Sequence, residues 1–484
     1  MKLDYHNAMK HLHITTLLAL TLLFILGSCL NDDEKYADYD DTAVISFVLQ
    51  QMNAYVHTTN SQGEDSVFRA YVDGPKVPIY IDNVNNEIYN VDSLPASTDI
   101  EHVVVELATK NNCYALWRSL TEEKLLYHSS TDSLDFSVPR ELYVFTTSGD
   151  YYRVYTVRIV KHQQDGDMFH WRKQATNNTF AALKGMKAAS NGHTIFLAGT
   201  DGQTTTLYAT SADDATAWHS VATNLPEQAW QTLLVHQGKP HLNDQQGNLY
   251  VVESNDDYAT AATRTYNTNS LATLIATDNQ YLYALATQGG IVRTTQPGNY
   301  TSWSIEALDD DAVFLPTSHI TATHIPLRTT DDAGRIVIVG NRAPETYPAD
   351  TCATLWARMT GSAEVTAGTT WMHYTGQGPI YRLPRLYNIS TIAYGTDILA
   401  LGGTPMGNTQ TRALTNFYRS IDGGISWHKD TRINMPTDME CSHTVFALTT
   451  DYNNYIWLIC GQSGQIWKGR LNRMAWTEHQ KEFR

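Results

Sequence analysis

The stretch Ser420-Ile421-Asp422-Gly423-Gly424-Ile425-Ser426-Trp427 decides the fold of this chain. It matches the Asp-box pattern Ser-x-Asp-x-Gly-x-Ser/Thr-Trp at every position. In such a hairpin Asp accepts hydrogen bonds from backbone N–H groups, Gly takes a positive φ, and Trp packs the loop onto its sheet. Because this hairpin belongs to the outer rim of a β-propeller, away from the central axis, the stretch predicts an architecture and a structural role for its residues.

Repeats of the same kind extend over residues 164–484. Ser211-Ala212-Asp213-Asp214-Ala215-Thr216-Ala217-Trp218 repeats the spacing with Ala in place of Gly, and Gly368-Thr369-Thr370-Trp371 keeps only the end of the pattern. Units of roughly 40–60 residues each contain an apolar strand, a Gly turn, a second strand and often a Trp, which is typical of propeller blades. The count predicts six blades. A seven-bladed propeller is the alternative, if Phe169-His170-Trp171 belongs to a blade of its own instead of pairing with the last blade to close the ring.

Residues 42–163 carry shorter β-like runs separated by turn clusters. In one run Tyr155, Val157 and Ile159 alternate with polar residues, which is the period of a half-buried antiparallel strand. About 120 residues of this kind predict an immunoglobulin-like β-sandwich. The fold class is therefore all-β, a sandwich followed by a propeller.

The first residues predict export. Lys2 and Lys10 precede an apolar run over residues 14–26, too short to span a bilayer but suited to a secretory signal. The following Leu26-Gly27-Ser28-Cys29 resembles a bacterial lipobox, so we expect residues 1–28 to be a lipoprotein signal peptide and Cys29 to carry lipid that tethers the chain to a membrane. An ordinary signal peptide with a coincidental Cys is the alternative.

Residues 29–41 are polar and acidic and predict a flexible tether. An acidic stretch just past the lipidated Cys is similar to the surface-export signal of Bacteroidetes lipoproteins. We therefore expect an outer-membrane lipoprotein exposed at the cell surface, with a periplasm-facing protein as the alternative.

Charge excludes one class of partner. Lys and Arg number 34 against 50 Asp and Glu, a net charge of −16, and no long basic block offsets it. Because nucleic-acid binding needs a basic face to neutralise phosphates, no nucleic-acid partner is expected.

Motifs for catalysis or metal binding find little support in the sequence. Sialidases carry Asp boxes but use an early Arg-Ile-Pro motif, and the nearest strings here, Leu383-Pro384-Arg385 and Ile325-Pro326-Leu327-Arg328, have the wrong order. Five residues apart in a strand, His319 and His324 are expected on opposite faces, and Asp309-Asp310-Asp311 lacks the ligand spacing of a calcium loop. No catalytic residue, metal ligand or cofactor is predicted.

Two further predictions concern single side chains. A hairpin turning near Tyr452 would place Cys460 opposite Val445, so no disulfide with Cys441 is expected. The cysteines after Cys29 are predicted as isolated thiols: Cys113, Cys352, Cys441 and Cys460.

Asp-Ser/Thr-apolar tripeptides resemble the O-glycosylation acceptor of Bacteroidetes exported proteins, although a couple are expected by chance. The acceptor positions of these tripeptides are Thr42, Ser66, Ser93 and Ser133.

Together these features resemble a family of uncharacterised Bacteroidetes surface lipoproteins, the domain of unknown function 6242 type. The matching segments are the lipobox, Tyr89-Asn90-Val91-Asp92-Ser93-Leu94-Pro95, Asp132-Ser133-Leu134-Asp135-Phe136-Ser137-Val138-Pro139, Arg153-Val154-Tyr155-Thr156-Val157, and Ile466-Trp467-Lys468-Gly469-Arg470-Leu471-Asn472-Arg473. The resemblance implies an N-terminal β-sandwich and a C-terminal Asp-box propeller, and it implies no activity.

The predicted function is a binding or interaction module whose propeller face contacts glycan or protein. One alternative is a carbohydrate-active enzyme, a glycosidase or lyase, which a pair of carboxylates about 5–9 Å apart on the central face would favour. A periplasmic assembly scaffold is the other alternative. Most of the aromatic residues are expected to fill the packing between blades.

Overall fold

The structure is a computed structural model that describes residues 41–59, 65–254, 261–268, 271–327, 329–375, 378–477 and 480–483. The predicted signal peptide, Cys29 and all of the tether except residue 41 lie outside the described residues. The chain divides into two compact units, residues 1–163 together with 479–484, and residues 164–478. Within the described part, no helix combines the length and the apolar character needed to cross a membrane.

The first unit is a β-sandwich. One sheet has the strand order β1-β6-β9, a larger one has the order β4-β5-β11-β10-β7-β8, and β2 pairs with β3. The strands are β1 (Val44–Leu49), β2 (Met52–Thr59), β3 (Asp65–Val72), β4 (Ile79–Asp82), β5 (Glu87–Asn90), β6 (Val103–Thr109), β7 (Ala115–Arg118), β8 (Leu125–Tyr127), β9 (Ser133–Leu134), β10 (Arg140–Phe145) and β11 (Tyr152–Arg158), with short 3₁₀ helices at Gly74–Lys76 and Lys110–Asn112.

Alternating residues of the two larger sheets form one shared core. Phe47 and Val105 enter it from one sheet, and Trp117, Tyr155 and Val157 enter it from the other. The buried Tyr155 keeps its hydroxyl satisfied through hydrogen bonds within the sandwich, as a buried phenol requires. The predicted alternation along β11 therefore gives the sandwich its inner face.

The end of the chain belongs to the sandwich, whereas the sequence assigned residues 164–484 to the propeller. Ser93 N donates to Lys481 O at 2.8 Å, and Phe483 N donates to Ser93 O at 2.9 Å. Phe483 also packs against the sandwich core. Ser93 pairs with Glu482 in an isolated parallel β-bridge, and the last residues carry no repeat signal that would have revealed this pairing.

The second unit is a ring of six four-stranded sheets within the described residues, which confirms the predicted propeller. Blade 1 consists of β13 (Gly185–Ser190), β14 (Thr194–Thr200), β15 (Thr204–Ser211) and β16 (His219–Pro226), and blade 2 consists of β17 (Leu234–His236), β18 (Lys239–Asn243), β19 (Asn248–Ser254) and β20 (Ala261–Asn267). Blade 3 consists of β21 (Leu271–Thr277), β22 (Leu282–Ala286), β23 (Ile291–Thr294) and β24 (Trp303–Ile305), and blade 4 consists of β25 (Ser318–Pro326), β26 (Gly334–Asn341), β27 (Thr354–Thr360) and β28 (Met372–His373). Blade 5 consists of β29 (Ser390–Tyr394), β30 (Asp397–Leu401), β31 (Tyr418–Ser420) and β32 (His428–Lys429), and blade 6 consists of β33 (Phe446–Thr450), β34 (Ile456–Cys460), β35 (Ile466–Leu471) and β12 (Phe169–Lys173).

Short helices occur in the connections between strands of the propeller. They are α1 (Asn178–Ala181), α2 (Ala363–Thr366) and the 3₁₀ helices Glu227–Thr232, Ala312–Phe314, Pro379–Tyr381 and Asn472–Ala475.

The ring closes by pairing the first strand of this unit with its last. Phe169 lies opposite Leu471 and Trp171 opposite Gly469 in an antiparallel ladder. This confirms the expected role of Phe169-His170-Trp171 and the count of six. The first strands of neighbouring blades contact one another around the whole ring, so they line its centre.

Aromatic side chains fill the spaces between blades, as expected. Trp356 and Trp371 pack between blades 3 and 4, Trp427 packs between blades 4 and 5, and Trp457 packs between blades 6 and 1. All four are fully buried. Their abundance in the sequence is therefore mainly a property of the fold.

The prediction of no disulfide is wrong, because Cys441 and Cys460 are bonded with their Cα atoms 4.8 Å apart. Cys460 lies opposite Phe446 in the hairpin, one residue from the expected partner. Cys441 precedes the strand, and its segment folds back over the hairpin, where Glu440 N donates to Gln465 Oε1 at 3.0 Å. The bridge spans 19 residues, and closing a loop of this size stabilises a fold by about 3 kcal/mol. Cys113 and Cys352 are free thiols.

Candidate functional site

The Asp-box loop at residues 420–427 is a hairpin between β31 and β32 whose polar side chains form hydrogen bonds within the loop itself. Asp422 accepts hydrogen bonds from Ser420 Oγ at 2.8 Å, Ser426 N at 2.9 Å and Ser426 Oγ at 2.6 Å. Gly424 has a φ of 94°, and its carbonyl accepts the indole N–H of the buried Trp427 at 3.0 Å. Because the carboxylate and the indole are both occupied within the loop, these side chains serve the blade itself.

The second copy of the spacing makes a different set of contacts. Ser211 ends β15, and its Oγ accepts from Asp213 N at 3.3 Å. Asp213 accepts the hydroxyl of Tyr452 at 2.8 Å and takes no hydrogen bond from the last positions of its own loop. Ala217 stands at the Ser/Thr position of the pattern, so this loop departs from the Asp box at two positions, Ala215 and Ala217.

In this second loop the neighbouring carboxylate, Asp214, accepts the hydrogen bonds that stabilise the turn. Asp214 Oδ1 accepts from Thr216 N at 3.0 Å and from Thr216 Oγ1 at 2.6 Å. Trp218 packs against Phe180 with 4.9 Å between ring centroids, but its buried indole N–H has no hydrogen-bond partner among the described residues. Similar spacing thus predicted a similar position in the blade, not the same hydrogen bonds.

A cavity of about 840 Å³ opens at one end of the propeller ring. Its wall combines the beginnings of the inner strands β21, β25 and β29, the turns after β18 and β22, and the segments that lead into β17, β25 and β29. Five of the six blades contribute among the described residues. Pockets that bind small ligands typically have volumes of about 300–1,000 Å³, so this cavity is the candidate binding site.

Lys187 supplies the charge at this site. It lies on β13, and its ammonium donates to Gln231 O at 2.9 Å and to Ile320 O at 3.4 Å. No carboxylate of the described residues forms an ion pair with it. Desolvation by the surrounding wall lowers the pKa of Lys187 to about 8.

Trp230 forms one aromatic part of the wall. It lies in the 3₁₀ helix Glu227–Thr232, directly over β13. A Cβ atom at Gly185 would lie 2.4 Å from the Trp230 ring, so this close approach requires glycine. The same contact brings the Gln231 carbonyl to Lys187.

Tyr347 is held at the cavity by two arginines. The Arg385 guanidinium is fully buried and donates to Tyr347 O at 2.8 Å and to Arg342 O. Arg342 lies 3.8 Å from the centre of the Tyr347 ring and forms a bidentate pair with Asp350. Arg385, the residue weighed for a sialidase triad, is therefore occupied in positioning a loop, and Arg328 lies outside the described residues.

Tyr387 and His319 form the third aromatic part, with ring centroids 4.1 Å apart. His319 has a φ of 50° within an irregular stretch of β25. Burial lowers the pKa of His319 to about 4, so its ring is neutral at pH 7.

His324, on the same strand, hydrogen-bonds Thr360 Oγ1 at 2.8 Å. Within the described part of the chain, no three His, Cys, Asp or Glu side chains are grouped as metal ligands.

Several polar side chains of the wall have no hydrogen-bond partner among the described residues. They are Gln245, Thr273 and Ser390. Together with the third N–H of Lys187, they leave donors and acceptors available to a bound molecule.

Asp244 is the single carboxylate among the described residues of the wall. Its oxygens accept from Gln246 N at 2.9 Å, Asn248 N at 2.8 Å and the Tyr250 hydroxyl at 2.9 Å. Asp451 makes the same turn-closing pattern in blade 6. Asp244 therefore closes a hairpin, and the described wall offers no second carboxylate for a glycosidase pair.

The remaining predicted positions lie elsewhere in the two units. Asp310 pairs with His373 at 2.7 Å and Asp311 caps a 3₁₀ helix by accepting from Val313 N, so this acidic stretch has structural contacts. Among the suggested glycosylation positions, Thr42 is fully buried, Ser66 and Ser93 are half-buried, and Ser133 is exposed.

The fold and the cavity define this chain as a β-propeller protein with a ligand-sized site on the propeller axis and a β-sandwich before it. Residues 165–479 match the sequence model of the DUF6242 beta propeller domain, and residues 47–159 match that of the DUF6242 N-terminal domain. The chain belongs to the DUF6242 family. No curated protein matches the sequence.

Solved structures give distant likenesses. A structural-genomics protein of unknown function from Bacteroides thetaiotaomicron is 10% identical with a TM-score of 0.41, covering 82% of this chain and 98% of that one. A carbohydrate-active enzyme family AA12 protein of Trichoderma reesei is 12% identical with a TM-score of 0.38, covering 63% and 96%. Trypanosoma rangeli sialidase is 9% identical with a TM-score of 0.36, covering 61% and 55%. At these values the likenesses add nothing to the description of the site.

Proposed function

We propose that this protein is a binding module whose propeller cavity takes up a saccharide. The observation that carries the proposal is the composition of the wall, in which aromatic rings surround polar groups that the fold leaves unused. The rings of Trp230, Tyr347 and Tyr387 offer apolar faces for the C–H faces of a sugar ring. The free amide and hydroxyl groups offer partners for its hydroxyls.

An enclosed ligand suits this site better than a protein surface does. Protein partners bury roughly 800 Å² on each side of a broad interface, whereas a cavity of this volume surrounds a small molecule. The described wall also favours binding over catalysis, since Asp244 is committed to its turn and has no partner carboxylate in it. A glycosidase or lyase remains the alternative that a turnover assay tests.

We further propose that a lipid on Cys29 anchors the module to the outer membrane, exposed at the cell surface. The support is the lipobox and the acidic residues that follow it in the sequence. Labelled palmitate should enter the wild-type chain and not the Cys29→Ser variant. Equal labelling of both would contradict the anchor, and resistance to proteases added to intact cells would favour the periplasm-facing alternative.

The experiment that tests binding is a glycan array and hydrolysis screen of the purified full-length chain. We expect saccharide binding without turnover, weakened at least about tenfold in Trp230→Ala. Trp218→Ala is the matched control, because Trp218 is also half-buried but lies outside the cavity. Turnover would establish the enzyme alternative, and an array without any binding would overturn the proposal.

A further inference from the structure

The Lys187 ammonium is incompletely partnered. A lysine has three N–H donors, and two of them reach the carbonyls of Gln231 and Ile320. Both acceptors are neutral dipoles, so the positive charge itself meets no anion among the described residues. A charge withdrawn from water without an opposite charge is costly, and an anion placed beside it would recover part of that cost.

The third donor has room for such an anion. Lys187 lines the cavity and is half-buried, so its remaining surface faces the open volume. The other titratable groups of the described wall do not compete for it: Asp244 is held by its own turn, His319 is neutral, and Tyr347 and Tyr387 are phenols.

We propose that the cavity selects a saccharide bearing a single carboxylate, such as a uronic acid residue, and that Lys187 binds this carboxylate. The inference rests on the proposed function and adds the class of saccharide to it.

Charge balance favours one acidic group of unit charge. A single lysine neutralises a carboxylate, whereas a phosphate monoester carries about −1.5 to −2 at pH 7 and is usually held by several donors or cations. The net charge of −16 also opposes a densely charged polyanion. An otherwise neutral sugar with one carboxylate satisfies Lys187 and leaves its hydroxyls for Gln245, Thr273 and Ser390.

The test is calorimetric titration of the full-length chain with pairs of oligosaccharides. Each pair contains one uronic acid oligosaccharide and its carboxyl-reduced neutral counterpart, and a monosulfated counterpart forms a third arm. In at least one pair we expect the acidic member to bind about tenfold or more tightly than the neutral one. Tighter binding of the sulfated than of the carboxylated member would overturn the carboxylate assignment.

Variants at Lys187 separate charge from structure. Lys187→Met and Lys187→Gln should abolish the preference for the acidic member while leaving binding of the neutral one within about threefold, and Lys187→Arg should retain the preference. Lys184→Met is the matched control, since Lys184 is an exposed lysine outside the cavity, and it should change nothing. Thermal unfolding of each variant verifies that it is folded.

The outcomes distinguish the two proposals. Equal binding of acidic and neutral members overturns this inference and leaves saccharide binding standing. A preference that persists in both charge-removing variants also overturns it. Failure of every saccharide to bind the wild-type chain overturns the proposed function together with this inference.

Discussion

The rim loop at residues 420–427 and the cavity wall around Lys187 use their polar groups in opposite ways. In the rim loop, Asp422 accepts from Ser420 and Ser426, and the indole of Trp427 donates to a carbonyl of the same loop. In the cavity wall, Lys187 has no anionic partner among the described residues, and nearby hydroxyl and amide groups have no partner there either. The polar side chains of the rim loop are hydrogen-bonded within the loop itself, whereas those of the cavity wall can still form hydrogen bonds to a bound molecule.

This difference separates structural polar groups from those available to a ligand. A motif whose hydrogen bonds close on themselves contributes stability, however conspicuous it is in the sequence. A polar group on the wall of an open cavity can bind water in the free protein and exchange that water for a ligand. An unsatisfied group without an opening only costs stability, and His241 is an example, since its buried Nε2 has no partner in the described part and the residue does not line the cavity.

The largest predicted effect concerns His241. Burial lowers its pKa from 6.5 to about 4, so the unfolded chain binds a proton in the interval where the folded chain does not. The propeller should therefore lose stability as the pH falls from about 6.5 to about 4, by about 3 kcal/mol from this residue. Urea unfolding across this range should show a reduced loss in His241→Leu. The exposed His219→Leu is the control, and identical pH dependence in both variants would contradict the assignment.

A smaller effect tests the rim loop itself. Asp422→Ala removes a carboxylate that holds several hydrogen bonds, so we expect the free energy of unfolding to fall by about 2 kcal/mol. Asp213→Ala, at the same position of the second loop, should cost less than about 0.5 kcal/mol, because Asp213 is exposed and accepts from Tyr452. Saccharide affinity should be unchanged in both. Equal destabilisation would show that the two loops differ less than their hydrogen bonds indicate.

The smallest effect concerns the stability of the cavity wall, because Lys187 is only half-buried and water in the open cavity screens its charge, whereas His241 is fully buried. The pKa of Lys187 is about 8 in the folded chain and near 10.5 when solvated, so the unfolded chain binds the extra proton between these values and stability should rise with pH there. Lys187→Met should be no less stable than wild type at pH 7 and should lack this rise. Unfolding curves at pH 7, 8.5 and 10 test both points. A clear loss of stability at pH 7 would mean that Lys187 supports the fold.

Sequence reasoning succeeded where the signal is local or periodic. The spacing within residues 420–427 identified a hairpin, and the resemblance of residues 169–171 to later segments identified the strand that closes the ring. Both follow from short-range chemistry, because turn residues and alternating apolar positions specify strands and hairpins directly.

The cavity and the disulfide depended on longer-range geometry. Lys187 and Ser390 are over two hundred positions apart in sequence, and they line the same cavity only because the blades are arranged in a ring around one axis. Nothing near Lys187 distinguishes it from a surface lysine until the segment that leads into β17 lies over it. Cys441 escaped prediction for a similar reason, because an irregular segment folds back on the hairpin and its path has no periodic signal.

The most direct test of the central claim is hydrogen–deuterium exchange with and without the uronic acid oligosaccharide that binds most tightly. The account predicts slower exchange in the segments that form the wall, at residues 228–232, 285–290, 312–320 and 387–390. It predicts unchanged exchange in the rim loop at residues 420–427. Protection confined to the rim loop, or to any surface other than the cavity, would contradict the account.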